Sequence, residues 1–161
     1  MLKFDENDNP LITQEEIATK VVWFNEQINV VKDQLIRCIE ELGYPVTVTE
    51  HPVMIKEGLT GDYQSRKFHI LIHGYKSFRP NMELCLKPFA IWLSGNEGAL
   101  SIAQVGDFPT NYIIHFSLDD IAYTGYQGAD EEGWYWDNQE IKEPVYKLTP
   151  DTVKRLLGTV A

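Results

Sequence analysis

The chain has 161 residues, 43% of them hydrophobic and 12% aromatic, and a formal net charge of −10 at pH 7. This length and composition predict a single globular domain, residues 1–161, with its own apolar core. The excess of 24 acidic over 14 basic residues argues against direct nucleic-acid binding, which needs a basic surface, and against attraction to anionic membranes. The charge fits high solubility or a partner protein with a basic surface.

Residues 1–12 are predicted to form a polar arm that ends in a turn at Asn9-Pro10. The arm has no apolar segment typical of a secretory signal, and no stretch of the chain is long and apolar enough to predict a membrane span. We therefore expect a cytoplasmic protein. Cys38 and Cys85 have neither metal-ligand spacing nor the pattern of a disulfide framework.

Residues 13–43 carry the pattern of one long helix. Thr13 followed by Glu16 predicts a capping box at its start, and Gly43 predicts its end. Apolar residues recur between these limits at steps of three and four, which predicts one buried stripe. The residues of this stripe are Ile17, Val21, Phe24, Ile28, Val31, Leu35, Cys38 and Leu42.

Further apolar residues lie beside the stripe, namely Val22, Trp23, Val30 and Ile36. They widen the apolar surface beyond what one contact with a sheet requires. We expect the protein's own core to cover them, and the alternative is a homodimer through the long helix.

After Gly43 the hydrophobic period changes to two, which predicts strands joined by short connections. The fold class predicted is α+β, with the long N-terminal helix packed on an antiparallel β-meander and a short C-terminal helix capped by Thr149. A break is expected at His51-Pro52, a loop at 56–66, a bulge or edge at Lys87-Pro88 and a hairpin connection at 94–98. The predicted strands are 46–49, 53–55, 67–73, 82–86, 89–93, 99–105, 111–117, 120–126, 134–137 and 143–147.

Histidines supply the catalytic candidates. His69 and His73 are four residues apart, which on a strand separates them by about 13 Å and excludes joint coordination of one metal ion. The pattern His115-x-Ser117 resembles half of the motif of the 2H phosphoesterases. In that family two such motifs supply an acid, a base and hydroxyl donors for a phosphodiester. The second half of the motif is absent, because Leu71 and Tyr75 follow the other two histidines where a Ser or Thr is needed.

The most unusual local composition is that of residues 118–147, which hold eight acidic residues against two lysines, a net −6. We expect at least one ring of the Trp134-Tyr135-Trp136 run to be exposed, because neighbours on a strand point to opposite sides. Exposed rings with an acidic rim are typical of a protein-binding surface. The predicted partner-binding residues are Trp134, Trp136, Tyr123, Tyr126, Asp130, Glu131 and Glu132.

These patterns favour a non-catalytic protein over an enzyme. The predicted function is an acidic protein-binding module, of the inhibitor, immunity or adaptor kind, acting on a basic partner through the aromatic and acidic residues. The alternatives are an enzyme acting on a small phosphodiester or nucleotide with His115 and another histidine, and a small-ligand-binding protein. No cofactor and no tightly bound metal ion are expected.

Overall fold

The fold is that of a computed structural model, which describes residues 3–76, 79–93, 96–105, 111–117, 133–137 and 146–160. Of these, residues 76, 79–80, 93, 96–97, 111–117, 137 and 159–160 are described by their backbone only. The described elements are a long N-terminal helix, seven antiparallel strands and a short C-terminal helix. The predicted α+β class is confirmed.

Helix α1 spans Gln14–Glu41 and begins and ends where the capping signals predict. The hydroxyl of Thr13 accepts a hydrogen bond from the amide of Glu16 at 3.1 Å, which satisfies one of the free amides of the first turn. At the other end Gly43 has a φ of +96°, a left-handed conformation that costs energy for any residue with a Cβ. Its amide donates to the carbonyl of Glu40 at 2.9 Å and closes the last turn.

One side of α1 forms the centre of the core, and the predicted stripe is confirmed. The buried helix residues are Ile17, Phe24, Ile28, Val31, Leu35, Cys38 and Ile39. Val22 and Val30, however, are 58% and 41% exposed, so the expectation that the protein's own core covers them is wrong. Successive residues turn by about 100° around a helix, which places Val22 on the side opposite Phe24. A homodimer through this side of the helix stays a prediction.

Seven strands form one antiparallel sheet in which each strand pairs with the next one in the chain. This confirms the predicted meander. The strands are β1 (Val46–Glu57), β2 (Gly61–Lys76), β3 (Arg79–Leu93), β4 (Asn96–Gln104), β5 (Asn111–Ser117), β6 (Gly133–Asp137) and β7 (Tyr146–Lys147). Helix α2 (Pro150–Val160) follows and packs beside α1.

Two predictions about the first strands are wrong. The break at His51-Pro52 is absent, because β1 continues through Pro52, which lies opposite Arg66 of β2. Proline is tolerated there because an edge strand needs amide donors on one side only. The predicted loop 56–66 is mostly strand, with β1 ending at Glu57 and β2 beginning at Gly61.

The later connections agree more closely with the sequence. A register shift between Pro88 and Ala90 is the predicted bulge. The hairpin connection is shorter than predicted, because Asn96 of β4 already pairs with Leu93 of β3. The predicted strand 120–126 lies outside the described residues.

The core lies between the inner side of the sheet and the two helices, and α2 contributes Val153, Leu156 and Leu157 to it. Both described helices lie on this inner side, so the outer side of β1 exposes Thr47, Thr49 and His51. The inner residues of the central strands are Phe68, Ile70, Ile72, Met82, Leu84, Leu86, Leu100 and Ile102.

No helix in the described part of the chain is both long and apolar enough to cross a membrane.

The sheet opens between the early part of β2 and the late part of β3. Among the described strands, residues 61–67 pair with β1 alone, and residues 87–93 pair with β4 alone. In this opening the carboxylate of Glu57 accepts hydrogen bonds from the amides of Ile91 at 3.0 Å and Trp92 at 3.2 Å. The carboxylate therefore takes the place of a strand partner and fixes the backbone that carries Trp92.

Candidate binding site

The rings predicted to bind a partner are buried. Trp134, Tyr135 and Trp136 are only 7%, 2% and 1% exposed, so the expectation of an exposed ring in this run is wrong. Trp134 and Trp136 are part of the core, and the ring of Trp136 packs against that of Tyr146 in β7, with the ring centroids 4.9 Å apart. Trp134 is also tied to α1, since its indole Nε1 donates to the side-chain oxygen of Gln27 at 2.9 Å.

The remaining members of the predicted patch, Tyr123, Tyr126, Asp130, Glu131 and Glu132, lie outside the described residues. A role of these acids in attracting a partner stays a prediction. The two tryptophans, by contrast, are core residues of the described fold.

The catalytic candidates do not converge. His69 lies on β2 and both His115 and Ser117 lie on β5, with two strands between them. At about 4.8 Å per strand, the positions on β2 and β5 are about 14 Å apart across the sheet. The register adds about 13 Å along the strands, because His69 lines up with Asn111. His73 is farther still, so these backbone positions do not form the pocket that the phosphodiesterase alternative requires.

A cleft of about 770 Å³ lies beside the first turns of α1. Two indole rings contribute to its walls, one from the helix and one from the end of β3. The other lining residues come from the arm and from one side of the helix. The lining consists of Lys3, Leu11, Ile12, Thr13, Glu15, Glu16, Thr19, Lys20, Trp23 and Trp92.

The arm reaches the helix because it folds back on itself. One oxygen of the Asp5 carboxylate accepts hydrogen bonds from the amides of Asn7 and Asn9, both at 2.9 Å. The hydrogen bond from the Asn9 amide is the main reason why the pKa of Asp5 lies below its ordinary value. The amide of Leu11 donates to the carbonyl of Lys3 at 2.8 Å, which brings these two cleft residues together.

The helix side of the cleft follows from its periodicity. Glu16, Lys20 and Trp23 are spaced by four and three residues, so they share one side of α1. The ammonium of Lys20 lies 4.4 Å from the centre of the Trp23 ring, a cation–π contact. Behind the ring is Gly98, where a Cβ would lie 3.5 Å from Trp23 and 3.2 Å from Trp134. Glycine at this position therefore allows both indoles to pack over the β4 backbone.

Trp92 forms the opposite wall and is half-buried. Its backbone amide is held by Glu57, while its indole Nε1 is buried and has no hydrogen-bond partner in the described structure. Buried donors are nearly always satisfied in folded proteins.

The charges that line the cleft balance. Lys3 and Lys20 are basic, whereas Glu15 and Glu16 in the first helical turn are acidic. The cleft itself is thus a neutral, partly aromatic site on a molecule of net charge −10. Among the described residues, no group of three or more His, Cys, Asp or Glu side chains is arranged to hold a metal ion.

The sequence does not predict this cleft. It predicts Trp23 only as an apolar residue beside the helix stripe, and Trp92 only as part of the strand 89–93. The opening between β2 and β3, where Trp92 lies, has no local signal in the sequence. The spacing of three residues between Lys20 and Trp23 is a signal that could have indicated a partly exposed ring, because it places a cation and an indole on the same side of the helix.

Comparison of the chain with protein-family models, with curated proteins and with solved structures finds no significant match.

Proposed function

We propose that the protein is a non-catalytic binding module that acts on a basic partner protein. The observation that carries this proposal is the cleft of about 770 Å³ whose lining includes both Trp23 and Trp92. Tryptophan is enriched among the residues that dominate binding energy at protein interfaces. An apolar or aromatic side chain of the partner would insert between the rings.

The net charge supplies the second part of the proposal. Because the lining charges of the cleft cancel, attraction of a basic partner comes from the whole molecule and its charge of −10. The acidic residues Asp130, Glu131 and Glu132 are proposed to add to this attraction. Such charges act mainly on the rate of association, whereas the indole contacts act mainly on dissociation.

A small-ligand-binding protein is the second candidate. The cleft volume of about 770 Å³ falls within the range of roughly 300–1,000 Å³ that is usual for sites of small molecules. The two candidates differ in what occupies the cleft, a side chain of a partner or a free molecule.

Affinity capture from the native host with the immobilised protein tests the proposal. The variants are Trp92→Ala and Leu11→Ala in the cleft, and the matched control is Val22→Ala, which removes an apolar side chain from the exposed side of the same helix. We expect a basic protein to be retained by the wild type and by Val22→Ala, and to dissociate from Trp92→Ala at least about 30-fold faster, corresponding to about 2 kcal/mol.

Leu11 is 59% exposed, so its replacement tests the cleft without disturbing the core. The proposal fails if both cleft variants keep the wild-type dissociation rate, or if no basic protein is captured. Native mass spectrometry of the purified protein separates the second candidate, because a small molecule that is bound by the wild type and lost in Trp92→Ala would favour it.

A further inference from the structure

Two histidines lie side by side on the outer side of the first two strands. His51 is on β1 and His69 is on the adjacent strand β2, where their direct partners are Lys67 and Thr49. The two rings are therefore diagonal neighbours across one strand pair. Their centroids are 4.9 Å apart, with the planes inclined at 72°.

Each ring uses one nitrogen for a contact within the protein. Nδ1 of His69 lies 2.9 Å from Oε1 of Glu83, and Nε2 of His51 lies 3.3 Å from the hydroxyl oxygen of Thr49. In a neutral imidazole that donates from Nδ1 to a carboxylate, Nε2 carries the lone pair. In the tautomer of His51 that donates from Nε2 to the Thr49 hydroxyl, Nδ1 carries the lone pair. Nε2 of His69 and Nδ1 of His51 are then the two nitrogens that can bind a further ligand.

The spacing of the rings fits one shared metal ion. A histidine nitrogen binds zinc at about 2.0–2.1 Å, which places the ring centre about 3.2 Å from the ion. Two such rings at a tetrahedral angle have centres about 5 Å apart, and the observed separation is 4.9 Å. The carboxylate behind His69 matches the arrangement in which a carboxylate orients a metal-bound histidine and raises its basicity.

We propose that His51 and His69 together bind one ion of the zinc and copper class on the outer side of the sheet, with Glu83 as the residue that positions His69. Imidazole nitrogens suit these ions. Two protein ligands leave the remaining coordination positions to water. The site is thus an exchangeable surface site and not a structural one, in keeping with the lack of a three-ligand group among the described residues.

The fold provides a matched control. His73 lies on the same strand and the same side as His69, but its Nε2 contacts the hydroxyl of Thr47 at 2.8 Å. It is four residues from His69 along the strand, about 13 Å, and cannot share an ion with it. Replacing His73 therefore removes a histidine from the outer side without touching the proposed pair.

The test is calorimetric titration of the full chain, freed of tag and bound metal, with zinc chloride. We expect one zinc ion per wild-type chain, an affinity at least tenfold lower in His51→Ala and in His69→Ala, and an unchanged affinity in His73→Ala. Glu83→Gln should weaken binding by about 10–100-fold, as removal of such a carboxylate does elsewhere. Circular dichroism of each variant checks the fold.

Nitrogen-15 spectra of the histidine rings identify the ligating atoms. Zinc should shift Nδ1 of His51 and Nε2 of His69 and leave His73 unchanged, and Glu83→Gln should alter the tautomer of His69, which a purely structural role would not do. The proposal is overturned if the wild type binds no zinc, if either single variant keeps the wild-type affinity, or if His73→Ala weakens binding equally. The last result would indicate diffuse binding by the acidic surface.

Discussion

The side chains of Glu57 and Tyr63 are joined by a short hydrogen bond beside the opening of the sheet. The phenol of Tyr63 donates to Oε2 of Glu57 at 2.6 Å, while Oε1 accepts the amides of Ile91 and Trp92. Burial of the phenol is the main reason why the pKa of Tyr63 is raised, and the hydrogen bond to Glu57 and its charge add to the rise. The neutral phenol is therefore part of the folded state.

This raised pKa predicts a loss of stability in alkaline solution. Above the ordinary tyrosine pKa of 10.0, the unfolded chain releases the phenolic proton while the folded chain keeps it. Stability contributed by Tyr63 is thus present below about pH 10 and lost as the pH rises further, by up to about 1.4 kcal/mol per pH unit. Urea titrations at pH 7, 10 and 11 measure the free energy of unfolding and hence this loss.

Tyr63→Phe should cost about 1 kcal/mol at pH 7, because it removes one hydrogen bond, and should lose less stability than the wild type between pH 10 and 11. The other ionisable groups are the same in both proteins, so their contributions cancel in the comparison. An equal alkaline loss in both proteins would show that the phenol is not coupled to folding.

At the scale of secondary structure, the long helix could be predicted almost to the residue. Thr13 and Gly43 determine the ends of the helix through contacts within their own turns, and the apolar stripe repeats over 28 residues. Tertiary contacts therefore change little of the predicted helix. The prediction of a loop at 56–66 is wrong for most of this segment. Gly58 and Gly61 mark only the short turn between β1 and β2, while the polar residues beside them are held in strand conformation by pairing across the hairpin.

The buried stripe predicts a large stability difference between two sides of α1. Phe24→Ala should reduce the free energy of unfolding by about 2–5 kcal/mol, because Phe24 is fully buried and leaves a cavity. The matched change Val22→Ala on the exposed side should stay within about 0.5 kcal/mol. Denaturant titration measures both, and a loss below 1 kcal/mol for Phe24→Ala would show that the stripe is not the core.

At the scale of the whole molecule, both candidate sites arise from how the sheet is arranged. The cleft needs the opening between β2 and β3 to bring Trp92 towards α1, and the histidine pair needs the register that sets Thr49 opposite His69. Sequence spacing places His69 and His73 correctly far apart, but it does not show that His51 belongs beside His69. Register is a property of two strands and cannot be read from either one.

Because β2 and β3 do not pair at the opening, the hydrogen bonds of Glu57 connect the β1–β2 hairpin to the end of β3. Glu57→Ala leaves the amides of Ile91 and Trp92 without an acceptor, so both should exchange their hydrogens faster than in the wild type. Leu84 and Leu86, which lie in the part of β3 that pairs on both sides, are the internal controls. Equal exchange at Ile91 and Trp92 in both proteins would mean that another group protects them.

The meander order has a consequence for how the chain reaches this structure. Each described strand pairs with its immediate neighbour in the chain, so most pairings close short loops and lose little chain entropy on forming. Such a topology has a low contact order for a β-rich protein and belongs with the faster-folding members of that group. The contact between α1 and α2 joins opposite ends of the chain and closes a much longer loop, so we expect the C-terminal helix to dock after the sheet has formed.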